Sequence, residues 1–148
     1  MKRLWLSARP LLLLLVTSSL LIAGLAFANK TGKDEFIIPR PEEMAENWLR
    51  ALHAHRFSAA YQELGQALHQ KVSEEQLKEM VLEAESKGRR LVEAHGERSQ
   101  ALDTIALAHV RVKEEDRREA VWTIGTIKES GLWKIATLEA LEDHLQQD

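Results

Sequence analysis

The chain has no cysteine among its 148 residues. No disulfide framework is open to it, so an oxidising compartment neither harms nor staples it. Metal-ligand spacing is lacking as well. Two of its six histidines, His53 and His55, are two apart at the end of a predicted helix and point to different sides. His69, His95, His109 and His144 fall on separate elements. With no His-Glu-x-x-His or similar pair, no metal site is expected. There is no Gly-rich phosphate loop, nucleophile elbow or Ser-His-Asp order, and no cofactor is expected. Basic patches are also missing. Arg89-Arg90 and Arg117-Arg118 are isolated pairs in a chain of net charge −3. That balance does not steer towards phosphate backbones, so nucleic acid is not an expected partner.

What the sequence holds begins at its N-terminus. Lys2, Arg3 and Arg9 accompany an apolar run from Leu11 to Leu25, followed by Ala26-Phe27-Ala28 and polar Asn29-Lys30. This order predicts a secretory signal peptide over residues 1–28 and an exported protein, periplasmic or secreted. The alternative is an uncleaved anchor, since the stretch from Leu11 to Ala28 is just long enough to span a bilayer as a helix. Thr17, Ser18 and Ser19 interrupt that run, and the Ala-Phe-Ala site favours cleavage. A membrane is an expected partner only if residues 11–28 remain. Cleavage leaves 120 residues with 17 Lys and Arg against 23 Asp and Glu, a net −6. A single domain of that length buries roughly two-thirds of its unfolded surface.

Residues 29–40 read as a linker. Phe36-Ile37-Ile38 is either a brief extended segment or a plug that docks on the domain. Pro39 and Pro41 fix an extended entry into a helix starting at Pro41, with Met44, Trp48, Leu49 and Leu52 as its apolar stripe. A second helix is predicted from about Ser58 to Gln70. A third starts at Ser73, where Ser73 and Gln76 form a capping box, and stops at Lys87-Gly88. The period then changes to two. A weak strand over 90–97 leads through a turn at Glu97-Arg98-Ser99-Gln100 to a long strand over 102–113. Strands over 119–129 and 132–138 follow, joined by Ser130-Gly131, a two-residue hairpin signal. That turn sets Trp133 and Ile135 on the face of Trp122 and Ile124. Leu141 and Leu145 predict a short terminal helix. Residues 41–148 thus form one α+β domain, with helices packed on one face of a curved antiparallel sheet.

This order of elements resembles the nuclear transport factor 2-like superfamily, the cone-shaped α+β fold, and among it the small exported members of unknown function. The run Ala45-Glu46-Asn47-Trp48-Leu49-Arg50-Ala51-Leu52 into Phe57-Ser58-Ala59-Ala60-Tyr61 is similar to the family's opening helix pair. Ser73-Glu74-Glu75-Gln76-Leu77 resembles the next helix start, and Gly131-Leu132-Trp133-Lys134-Ile135 the last hairpin. The resemblance implies a pocket between helices and sheet, which relatives use for catalysis or for binding small molecules.

Enzymatic relatives place a carboxylate or an Asp–His pair inside the cone, which makes Asp103, His109 and Tyr61 the catalytic candidates. Asp103 and His109 share a strand face but lie ~20 Å apart at strand rise, too far for a direct dyad. Trp48, Tyr61, Trp122 and Trp133 are the candidate pocket lining for a small apolar ligand, although the tryptophans serve equally as core anchors. The long strand is apolar on both faces. Ala106, Ala108 and Val110 are expected at an interface, covered by the tail helix or by a second copy in a homodimer. The expected function is an exported small-molecule-binding or protein-interaction module. The alternative is a small pocket enzyme with isomerase- or dehydratase-like acid–base chemistry.

Overall fold

Pro41 opens the first helix, α1 (Pro41–His53), in the computed structural model, which describes residues 37–146. The expected signal peptide, and the linker up to residue 36, lie outside the described residues. At the entry to α1 the Glu43 carboxylate accepts the Arg40 backbone N–H at 3.0 Å, tying down a donor that the helix leaves free. Met44, Ala45, Trp48, Leu49 and Leu52 form the buried stripe. Three further helices follow: α2 (Phe57–Gln62), α3 (Gln66–His69) and α4 (Glu74–Ser86). The capping box forms as the sequence predicts. Gln76 N–H donates to Ser73 Oγ at 3.2 Å, and Ser73 N–H to Gln76 Oε1 at 2.8 Å. Leu77, Val81 and Ala84 then face the core.

The single helix expected over 58–70 is two. Between α2 and α3 the backbone turns aside to pair with a strand. Gly65 N–H donates to the Ile135 carbonyl at 2.8 Å, and Ile135 N–H to the Glu63 carbonyl at 2.9 Å. These bonds close the edge of the last strand at Ile135, and a continuous helix would lose both.

Strands β1 (Leu91–Leu102), β2 (Ile105–Glu114), β3 (Glu119–Glu129) and β4 (Leu132–Ile135) make an antiparallel meander in the order β1-β2-β3-β4. A terminal helix, α5 (Glu139–Gln146), follows. Helices against a four-stranded antiparallel sheet give the α+β class. The inner face is read from the register: Ala94 opposite Val112, Val110 opposite Trp122, Ala108 opposite Ile124, Thr126 opposite Ile135. Side chains of α1 complete the core, and each large aliphatic residue buried there contributes about 1.5–3 kcal/mol.

Two expectations about the sheet are corrected. The turn does not fall at residues 97–100. β1 runs through to Leu102, and the chain reverses at Asp103-Thr104, where Asp103 takes φ 54°, a left-handed conformation that aspartate tolerates. The polar run at 97–100 marks a bulge in β1 at Gly96/Arg98 instead. β4 ends at Ile135 rather than 138, because Thr137 leaves the strand to bond β3. The Ser130-Gly131 hairpin forms as expected, with φ 50° and 85°, and sets Ile135 on the inner face.

Candidate functional site

The centre of the space between helices and sheet is filled, and Trp48, Leu49, Leu52, Ile124 and Ile135 are fully buried there. An open hollow of about 550 Å³ lies at its margin between α1 (Leu49, Arg50, His53) and β1 (Leu91 to His95). A cavity bounded by Leu52, His53, Val81, Leu91 and Leu141 has a volume of about 20 Å³. That admits about one water molecule and no organic ligand.

The expected pocket residues do not come together around a void. Trp48 is locked between α1 and the sheet at 2 % exposure. Trp122 packs on the ring of His144, centroids 4.9 Å apart. Trp133 is half-buried, with the Lys128 ammonium 5.8 Å from its ring centre. Tyr61 spends its hydroxyl on the Val72 carbonyl at 3.2 Å and meets the His69 ring edge-on at 4.4 Å.

Ala106, Ala108 and Val110, expected at an interface, are corrected to the core. They are 4 %, 0 % and 0 % exposed; Ala108 and Val110 belong to the main core cluster, and Ala106 is buried at the floor of the hollow that also takes in Leu102, Ile105 and Leu107. The pairing of Val110 with Trp122 fixes the inward face, since both must point to the helices. Period-two alternation shows that a strand has two faces; it does not say which one the helices cover. Asp103 sits exposed in the β1–β2 turn, while His109 lies six residues on, opposite Thr123 and Arg98. They do not meet. His109 Nδ1 lies 3.2 Å from Thr123 Oγ1 on the outer face, and its Nε2 is enclosed without a partner.

One acid–base pair escaped the sequence reading. Glu114, at the end of β2, and His144, in the last turn of α5, are 8 % and 3 % exposed. His144 Nδ1 stands 3.5 Å from Glu114 Oε1. Its Nε2 lies 3.0 Å from the Arg89 carbonyl, which can only accept, so Nε2 carries a proton. A favourable contact at Nδ1 then needs one more proton, held by the imidazole or by Glu114. Arg118 Nη2 approaches the other Glu114 oxygen at 3.2 Å. Arg118 also serves Asp116. Its backbone N–H and then its guanidinium, helped by the charge of Arg89, hold that carboxyl below the usual carboxylate range against the cost of desolvation. Glu114 and His144 sit on elements well separated in the sequence, so spacing could not find the pair. Its one signal was the position of His144 three residues after Leu141, on the apolar stripe of the last helix.

Glu114 and His144 form one end of a groove of about 450 Å³ between β3 and α5. Leu107, Val121, Thr123 and Gly125 line its sheet side, and Glu139, Ala140 and Asp143 its helix side. The outer face of the sheet continues from it, with Leu102, Ile105, Leu107 and Val121 exposed by 75, 54, 48 and 52 %. A second hollow of about 440 Å³ runs over Leu102, Ile105 and Leu107.

No protein-family model matches the chain, and no curated protein matches it. Among solved structures it is similar to a protein from Campylobacter jejuni named as an NTF2-like transpeptidase. The TM-score is 0.53 at 14 % identity, over 67 % of this chain and 99 % of that one. The fold is NTF2-like.

In this NTF2-like frame the concave space that the fold places under the helices is taken up by Trp48 and its neighbours. The open surfaces among the described residues include the outer face, the groove beside α5 and the hollow between α1 and β1. Among the described residues no group of three or more metal-ligating side chains assembles. Neither histidine contact has the full geometry of a nucleophile relay. His144 has both ring nitrogens engaged, and His109 meets a hydroxyl but has no third group to orient it.

Proposed function

We propose that this chain is exported and works as an interaction module, engaging a protein partner through the outer face of its sheet rather than taking a ligand inside the cone. The observation that carries this reading is a contrast. The interior cavity has room for about one water, while Leu102, Ile105, Leu107 and Val121 stand exposed together on the other side of the sheet. Export rests on the charged start, the apolar run and Ala26-Phe27-Ala28, with the mature chain beginning at Asn29.

The test is a photo-crosslinking residue placed at Ile105 in the full chain, in cells, with Glu75 on the exposed side of α4 as control. A discrete adduct at 105 and none at 75 is expected, on a product whose N-terminal sequence starts at Asn29. An adduct of twice the chain's mass assigns the partner to a second copy. No adduct at 105 overturns the outer-face reading.

A second reading, a small acid–base enzyme, is favoured by the contact of Thr123 Oγ1 with His109 Nδ1 at 3.2 Å. Alanine at His109 separates the two readings, since the interaction module keeps its partner without the imidazole.

A further inference from the structure

A sheet exposes backbone donors and acceptors along its edges, and here one open stretch lies beside a groove while the others are interrupted or partly covered. The outer edge of β1 is broken by bulges at Leu91/Glu93 and Gly96/Arg98, and the Glu46 carboxylate takes the Gly96 N–H at 2.7 Å. The outer edge of β4 is paired at Ile135 by the Glu63–Gly65 segment. β3 has β4 beside it only from Thr126 to Glu129. Below that, Gly125 turns outward, its N–H donating to Thr137 Oγ1 at 3.1 Å and its carbonyl accepting from Ala136 N–H at 2.8 Å. Backbone groups alternate along a strand, so those of Thr123 and Val121 point the same way as those of Gly125. Among the described residues nothing bonds them. This open edge forms the side of the groove beside α5.

We infer that the groove between β3 and α5 receives an extended segment of another protein, bearing lysine or arginine at alternate positions, which adds to β3 as a fifth strand. The backbone edge supplies the pairing and α5 supplies the charge. Thr137 fixes the start of α5 near Gly125, and His144 fixes its end against Trp122, so the helix runs alongside the open edge. Glu139 and Asp143 face the groove from α5 and make no ion pair among the described residues. Four residues of helix rise about 6 Å. Alternate side chains of a strand are about 6.6–6.8 Å apart. Two basic side chains at i and i+2 of the incoming strand therefore reach Glu139 and Asp143 one each. A second copy fits poorly, because two-fold pairing at this edge would bring both pairs of acids together. The groove shares Leu107 and Val121 with the outer face, but Ile105 is not part of its lining, and the pairing at the β3 edge does not depend on it.

The test uses fluorescein-labelled seven-residue peptides with the full chain, followed by fluorescence anisotropy. One peptide alternates lysine with valine, a second alternates glutamate with valine, and a third is the lysine peptide N-methylated at the amides that would face β3. The lysine peptide is expected to bind at least about tenfold more tightly than either of the others, and more weakly as salt rises. Thr123→Pro, an edge position where proline is tolerated, should abolish binding. Glu139→Gln with Asp143→Asn should remove the preference for lysine over glutamate. Ile105→Asp should leave peptide binding unchanged, which separates this site from the outer-face reading. Equal binding of the N-methylated peptide, equal binding of the glutamate peptide, or no binding of the lysine peptide overturns the proposal whether or not the proline variant folds. A mass doubling in light scattering that Thr123→Pro abolishes would give the edge to a second copy and also overturn it.

Discussion

Trp48 and Trp133 look alike in sequence, each an aromatic residue at a core-facing position of its element. Their surroundings differ. Trp48 is 2 % exposed, while Trp133 is half-buried beneath the Lys128 side chain. Trp48→Ala should cost about 3–5 kcal/mol, from lost burial and the cavity left behind. Trp133→Ala should cost less than half of that, because solvent and the Lys128 stem already share its site. Urea unfolding of both variants checks the order, and a larger loss at Trp133 would contradict the placement. Gly96 shows another limit set by single atoms. A Cβ there would sit 2.6 Å from the Glu42 carbonyl oxygen, so α1 rests directly on β1 at its bulge. Glu42 confirms the closeness, accepting the Ser99 hydroxyl at 2.5 Å. In the sequence this glycine was one small residue in a weak strand. Nothing local marks a glycine that makes room for a helix from a distant part of the chain.

The elements are held by their ends. Lys87 Nζ donates to the Leu145 carbonyl at 3.1 Å, and the Arg89 guanidinium donates to the His144 carbonyl. Two cations just after α4 thus cap the C-terminal turn of α5, where the helix dipole is negative. Arg89→Ala should cost about 1–3 kcal/mol through the lost charge-assisted bond and the carbonyl left buried. Amide exchange over 139–146 should accelerate more than over α1. Uniform acceleration along the chain would show that α5 is not held locally. The start of α1 responds to pH. Glu43 is held below the ordinary glutamate value of 4.5, first by the Arg40 backbone N–H and then by its side chain. A carboxyl lowered in the folded state stabilises fully above its unfolded value and loses that contribution as pH falls through the folded one. Parent and Glu43→Gln should therefore differ in unfolding midpoint at neutral pH and converge below pH 4.5. A difference that grows on acidification would refute this. Much at this scale was legible. The Ser73 box, Pro41 as first helical residue and the Ser130-Gly131 hairpin each carry their chemistry within a single turn of chain. The Asp103-Thr104 turn did not, because the more polar Glu97–Gln100 stretch competes with it. The break at Gly65 is made by bonds to Ile135, which lies near the other end of the domain.

At the scale of the molecule the α+β class and the strand order could be read from the switch in hydrophobic period, since a meander needs only neighbouring pairings. The face on which the helices lie could not. Ala106, Ala108 and Val110 on one side and Ile105 and Leu107 on the other give the strand two apolar faces, and only the pairing of Val110 with Trp122 decides between them. The Glu114–His144 contact and the open stretch of β3 were out of reach for the same reason. Both depend on where α5 returns.

The meander has a kinetic side. Each strand lies beside its neighbour in the chain, so the sheet can grow hairpin by hairpin, and every closure involves a short loop with a small entropic cost. Docking of α1 on β1, through Glu46 on Gly96 and Glu42 on Ser99, closes a far longer loop. The slow step of folding should therefore be the arrival of the first helix on a sheet that is already formed. Until it arrives, Ala108, Val110 and Ile124 face water, and the half-assembled sheet is sticky on both sides.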